Sequence, residues 1–283
     1  MMTEQTLVGA VQGTAMFPAD TPSSTGVLVL AGSSGRVDIE RARLLAQHGA
    51  LALALQWFGG PSQCPGICEI PLKTFTTAID WLVEQGSQRI GIVSLSKGAE
   101  AALLVAVRDT RVDAVVAISP SSVVWANVGP GFDGADYPYR SSWSWEGQPL
   151  PFVPYDETWA PPASQQPVSF RPLYEASLRA YSEAAVAAAI PIERARGDIL
   201  LIAGGDDALW PSAAFAETLA ARRRAAERPV ELITHPDAGH RPIFPDETPP
   251  APSAGVAHGG NPTADTALGR AAWPAVLAAL NLT

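Results

Sequence analysis

The run IGIVSLSKGAEAALLVAV, residues 90–107, decides the architecture. It begins as an apolar, β-branched segment that reads as a strand, and it ends as an Ala/Leu-rich segment that reads as a helix. Between the two lies SLSKG, so Ser96 falls where a strand turns abruptly into a helix. Such a turn lifts a hydroxyl clear of the sheet, and it needs small residues two positions to either side. Gly98 supplies one; Ser94 stands where glycine is usual, giving SxSxG. The plainer reading of the same string is a helix N-terminus capped by Ser96.

Working outward, five further apolar runs fit buried strands: Val27 to Ala31, Leu51 to Leu55, Ala114 to Ser119, Ile199 to Gly204 and Val230 to His235. Helix-period segments separate them: Asp38 to His48, Pro71 to Gln85, Ala213 to Glu227 and Leu268 to Leu280, the last with Pro274 either kinking it or marking its first turn. Strands alternating with helices predict a mostly parallel sheet flanked by helices on both faces, an α/β class. One domain over 1–283 is the expectation. The segment at about 119–168 breaks the rhythm with a dense set of Pro, Gly and aromatic residues and reads as a lid or pocket wall, with a packed surface excursion as the alternative. Trp125, Trp143, Trp145 and, farther along, Trp210 are the candidate substrate-pocket residues. The stretch Pro245 to Pro262 reads as an ordered loop over the sheet edge.

Composition narrows the partners. The 283 residues carry a formal charge of −9 and are 47 % apolar, which argues against nucleic acid or an anionic membrane surface as partner, because both demand a basic face. A polyanionic ligand would need a local basic pocket. The N-terminus MMTEQTLVGA lacks a basic region followed by an apolar run, so a cytoplasmic protein is expected. Cys64 and Cys68 have no His or Cys companions and make a poor zinc site. Buried, incidental thiols are expected, with a redox disulfide as the alternative, and neither a metal nor another cofactor is implied.

A serine hydroxyl is a weak nucleophile at neutral pH and needs a base, itself oriented by a carboxylate. Of four histidines, His48 and His235 end predicted elements and His258 lies in the Pro/Gly-rich stretch. His240, in PDAGHRP after the last strand, is the candidate base. The run ILLIAGGDDALWP offers Asp206 and Asp207; Asp207 is favoured as the orienting acid, three residues beyond Gly204, and Asp206 reads as a turn residue bonding its own backbone. The order Ser96, Asp207, His240 is that of α/β-hydrolases. Backbone donors for a developing oxyanion are expected from Lys97, the residue after the nucleophile, and from Ser33 or Ser34 in AGSSG. The Lys97 side chain either pairs with Glu100 or lies at the surface.

Several ordered blocks now coincide: VLVLAGSSG, CEIPLKTFTTAIDWL, SLSKGAE, IPIERARGDILLIAGGDDALWPS, HPDAGH and GGNPTADTALGRAAWPAVLAAL. Together they resemble the C-terminal catalytic domain of acyl-CoA thioesterases and bile acid-CoA:amino acid N-acyltransferases, relatives of dienelactone hydrolases. The resemblance implies an α/β-hydrolase fold, a small-molecule acyl ester or thioester substrate, and Ser96, Asp207 and His240 as a triad. Mammalian members add an N-terminal β-sandwich domain, for which the roughly 25 residues before Val27 are too few. The transferases resemble cysteine enzymes, so Ser96 favours water as acyl acceptor. Transfer to an amine or alcohol is the first alternative. A non-catalytic binder of small apolar ligands is the second.

Overall fold

A computed structural model describes residues 2–19, 24–163 and 166–283. Residues 164 and 165 of the aromatic segment thus lie outside the described residues. The elements run β1 (Thr3–Leu7), β2 (Gly13–Phe17), β3 (Thr25–Leu30), α1 (Ile39–Gln47), β4 (Leu51–Leu55), β5 (Ile70–Pro71), α2 (Lys73–Glu84), β6 (Arg89–Leu95), α3 (Lys97–Ala106), β7 (Val112–Ile118), β8 (Trp143–Trp145), β9 (Gln148–Pro149), α4 (Arg171–Ala180), α5 (Ser182–Ala187), β10 (Asp198–Gly204), α6 (Ser212–Ala225), β11 (Glu231–His235) and α7 (Pro262–Leu280).

Eight strands form one sheet in the order β1-β2-β4-β3-β6-β7-β10-β11. From β4 to β11 every neighbouring pair is parallel, whereas β2 and β1 add antiparallel to β4. This is the α/β-hydrolase arrangement expected from the strand and helix pattern. Side chains of successive strand residues point to opposite faces, and two hydrophobic clusters result. Leu28, Leu30, Ile92 and Leu201 face α2, α3 and α6, while Val27, Val29, Val93 and Leu200 face α1 and α7.

The six runs read as strands from the sequence all appear. The pair β1 and β2 was not expected: β1 is TEQTL, an exposed edge strand without an apolar run, so its polar pattern hides it. The final helix also starts six residues earlier than its apolar stripe. Asn261 Oδ1 accepts the Ala264 N–H at 3.0 Å and Pro262 occupies the first turn, leaving Pro274 inside a 19-residue helix. Among the described residues no helix is long and apolar enough to cross a membrane. Cys64 and Cys68 are buried free thiols, and burial pushes the Cys68 thiol up to about 11.

The aromatic segment is packed structure. Its β8 pairs with β5 and β9 in a small second sheet, and it is tied to α3 through the carboxylate of a buried ion pair. Lys97 Nζ lies 2.7 Å from Glu100 Oε2, and Glu100 Oε1 accepts the Trp143 indole N–H (2.7 Å) and the Trp125 backbone N–H (3.0 Å). Lys97 also lies over the Trp143 ring, 5.3 Å from its centroid. Glu100 is fully buried and Lys97 only 2 % exposed. Burial pushes the carboxyl up and the ammonium down, and the contact between them opposes both shifts.

Removing one member of such a pair strands the other, whereas replacing both leaves no orphan charge. Glu100→Ala should therefore destabilise the fold by about 3–5 kcal/mol. The double change Lys97→Met with Glu100→Leu should cost clearly less than Glu100→Ala alone. Urea denaturation of the two variants tests this ordering.

Candidate active site

The sheet order reverses between β3 and β6: from β3 the chain goes to β4 on one side and then to β6 on the other. In open parallel sheets the crevice at such a switch point, beyond the carboxyl ends of the strands, is where ligands bind. Ser96 stands there, directly after β6. Its backbone has φ 58° and ψ −121°, a conformation that is strained for any residue with a side chain. The Ser96 N–H donates to Ile118 O at 2.9 Å, and the Ser96 carbonyl accepts from Ala99 and Glu100, starting α3.

The local sequence explains the turn. A Cβ on residue 98 would sit 2.4 Å from Ala31 O and 2.8 Å from Leu30 O, so only glycine lets α3 start this close to the end of β3. On the other side, the Ser94 hydroxyl donates to Val116 O at 3.0 Å. A serine fits that position because its one polar atom is satisfied by the neighbouring strand and stays out of the turn.

Asp207 follows β10 and is 1 % exposed. Its Oδ1 accepts the N–H groups of Leu209 (2.9 Å) and Trp210 (3.3 Å), and its Oδ2 lies 2.7 Å from His240 Nδ1. The carboxylate is thereby fixed from three directions. An Nδ1–H donated to Asp207 leaves Nε2 of the neutral ring as the acceptor, the tautomer a general base requires. His240 is 3 % exposed, its carbonyl accepts the Ser119 hydroxyl at 3.0 Å, and its ring meets that of Trp210 edge to face at 5.8 Å. Ser119 directly follows Ile118, the acceptor for Ser96 N–H, so His240 and Ser96 both converge on the end of β7. Among the described residues the Ser96 hydroxyl has no hydrogen-bond partner, and in this conformation it does not engage His240.

The loop after β3 completes the crevice. A Cβ on Gly32 would come within 3.0 Å of Ser96 Cβ, so the turn at Ser33 and Ser34 lies beside Ser96. Lys97 opens α3, where a backbone N–H has no acceptor within the helix. Gly32, Ser33, Ser34, Leu95 and His240 line one cavity of about 460 Å³. The four candidate pocket tryptophans are not among the residues lining this cavity, although Trp210 packs against His240. Trp125, Trp143 and Trp210 are at most 1 % exposed and sit within the core cluster under α2, α3 and α6. Trp145 is half-buried with Arg108 over its ring.

Three contributions escaped the sequence reading. The stretch Pro245 to Pro262 crosses the loops that carry Asp207 and His240, after the two strands at one end of the sheet. His258 O accepts the His240 N–H at 2.8 Å, and its ring is 6.0 Å from the His240 ring. Asp206 bonds not its own turn but the N–H of Gly260, at 2.9 Å. Gly259, at φ 67°, packs so closely that a Cβ there would fall 1.7 Å from Asp206 O. Arg171 of α4 donates to the carbonyls of Gly205 (3.1 Å) and Asp207 (3.2 Å). The one sequence signal was the Gly259-Gly260 pair just before an Asn-Pro helix start.

Comparison with known proteins gives this crevice a lineage. Residues 70–281 match the family model described as BAAT / acyl-CoA thioester hydrolase C terminal. The chain belongs to this family. Human acyl-coenzyme A thioesterase 2, mitochondrial, is 26 % identical over 249 residues, covering 86 % of this chain and 48 % of the relative. Mouse bile acid-CoA:amino acid N-acyltransferase is 26 % identical over 243 residues, covering 84 % and 53 %. This family member thus spans about half the length of the curated relatives it matches. Its fold is similar to that of a candidate dienelactone hydrolase from Klebsiella pneumoniae (TM-score 0.57, 16 % identity, covering 99 % of this chain and 98 % of the other). It is also similar to a Pyrococcus furiosus esterase (TM-score 0.50, 18 % identity, covering 83 % and 82 %).

His258 gives this family member a testable pH response. Burial, then the charges of Arg241 and His240, push its imidazole down to about 4. The unfolded chain binds that proton near 6.5, so no penalty exists above that value; stability falls as pH drops from about 6.5 toward 4 and levels off below. His258→Gln should flatten this part of the stability profile, as followed by thermal unfolding at pH 4 to 7.

Proposed function

We propose that this chain is a serine hydrolase that cleaves acyl thioesters or esters through an acyl-enzyme on Ser96. In this reading His240 Nε2 takes the Ser96 proton as the hydroxyl oxygen attacks the acyl carbonyl. Asp207 holds the imidazole tautomer and stabilises the imidazolium. The backbone N–H of Lys97 and one from Ser33 or Ser34 receive the oxyanion. His240 then protonates the departing thiol or alcohol, and in the second half-reaction it activates the water that releases the acid.

The observation that carries the reading is the buried Asp207–His240 contact at 2.7 Å, placed at the same sheet end as a serine in an elbow conformation. A carboxylate and an imidazole sealed from solvent are not needed for packing. Catalytic hydrogen bonds commonly close only when substrate is bound, and the approach of Ser96 to His240 is the step the reading requires. A coenzyme A thioester is the acyl donor shared by the names of the relatives, which supports the thioester side of the reading. Because those relatives include acyl-coenzyme A amino acid N-acyltransferase 1 of mouse, 28 % identical over 241 residues, transfer of the acyl group to an amine is the second reading; product analysis with added amino acids separates the two.

Ser96→Ala should lower kcat on acyl thioesters by on the order of 10³ to 10⁶ with the thermal unfolding profile unchanged. A fluorophosphonate probe should label the native chain on Ser96 and leave the variant unlabelled. Retention of most thioester cleavage by Ser96→Ala would refute the proposal.

A further inference from the structure

The cavity beside His240 is lined by charged side chains that are unevenly paired. Arg36, Arg41 and Arg241 line it together with Asp38, Glu40 and Glu247. All three carboxylates are engaged. Arg41 grips Glu247 through both oxygens, at 2.7 and 3.0 Å, and lies 3.5 Å from Asp38. Glu40 is paired with Arg43, one turn along α1.

That leaves Arg36 and Arg241, neither with an ion-pair partner among the described residues. Arg36 Nε reaches only the Ser34 hydroxyl, at 3.3 Å, and Arg241 Nη1 only Ala251 O, at 3.4 Å. Each guanidinium carries five N–H donors, so most of both forks is free. The two also oppose each other: burial, and then the charge of Arg36, push the Arg241 guanidinium below its ordinary range. His258, held neutral, does not add to this charge. Two repelling cations kept at the mouth of a cavity, in a chain of net charge −9, are an arrangement that an anion would relieve.

We infer that Arg36 and Arg241 form an anion-recognition subsite for the leaving group of the substrate, which carries a phosphate or carboxylate. The inference rests on the acyl-transfer reading above for its placement. His240 must hand its proton to the departing atom, so the leaving group lies on the imidazole side of the acyl carbon. Arg241 is the next residue after His240, and Arg36 follows the oxyanion loop by two residues. The planar forks of the two arginines match both kinds of oxyanion.

The test compares wild type with the double variant Arg36→Gln, Arg241→Gln on three thioesters of one acyl chain. Coenzyme A supplies phosphates, glutathione supplies carboxylates, and N-acetylcysteamine supplies neither. The wild-type preference in kcat/KM for a charged over the neutral thioester should fall by about tenfold or more, chiefly through KM, and Arg36→Lys with Arg241→Lys should restore part of it. A fall confined to the coenzyme A arm assigns phosphate, and one confined to the glutathione arm assigns carboxylate. An unchanged preference, with thermal unfolding equal in all variants, overturns the subsite while leaving the hydrolase reading intact. Calorimetric titration with coenzyme A and with glutathione probes the subsite without turnover: wild type should bind one of them and the double variant should bind it at least about tenfold more weakly. Binding of neither by wild type overturns the inference. If no thioester is cleaved and Ser96 resists the fluorophosphonate probe, it is the hydrolase reading that fails, and calorimetry still decides the subsite.

Discussion

A carbonyl oxygen occupies the space that a side chain at residue 98 would fill. Because Ala31 O stands 2.4 Å from that point, α3 can begin only where glycine removes the obstruction. This single close approach sets the exit of β6 against the exit of β3 and brings the turn at Ser33 and Ser34 beside Ser96. Everything the proposed function asks of the crevice follows from that approach, since a turn even about 1 Å farther away would present its N–H groups to the wrong atom. The unusual backbone at Ser96 is sustained by the sheet around it. Six parallel strands and two hydrophobic faces supply more than enough constraint to hold one residue off its preferred conformation.

The same turn is also held from the insertion side. Glu100 gathers an ammonium, an indole and a peptide N–H around one carboxylate, and two of those groups belong to the aromatic segment. The insertion and α3 therefore share one polar knot in an otherwise apolar layer. Trp125 and Trp143 act in this arrangement as partners of Glu100 and as core, a role consistent with their burial. The cavity runs instead along the turn at Ser33 and Ser34 and the arginines.

Most of the sheet was legible because parallel strands buried on both faces must be apolar along their whole length, and no other element of five or six residues looks like LALAL or IGIVS. The edge strand β1 was illegible for the converse reason: TEQTL faces solvent and needs no apolar signature; β2 is buried, but GTAMF offers only a short apolar run behind Gly13 and Thr14. Asp207 and His240 could be read from their places after strands, where this fold puts such groups. The role of the 258–260 segment could not. It acts through backbone carbonyls and N–H groups, and those are present at every residue whatever the side chain. The freedom of Arg36 and Arg241 was equally hidden, since whether an arginine is paired depends on distances across the fold.

The segment that steadies the imidazole is continuous with the start of the last helix. His258 and Gly260 hold the base and acid loops, and Asn261 then caps α7. The Asp207–His240 contact is thereby coupled to the outermost layer of the molecule and not to the sheet alone. Gentle heating that frays the first turn of α7 would unseat the imidazole while the strands beneath stay paired.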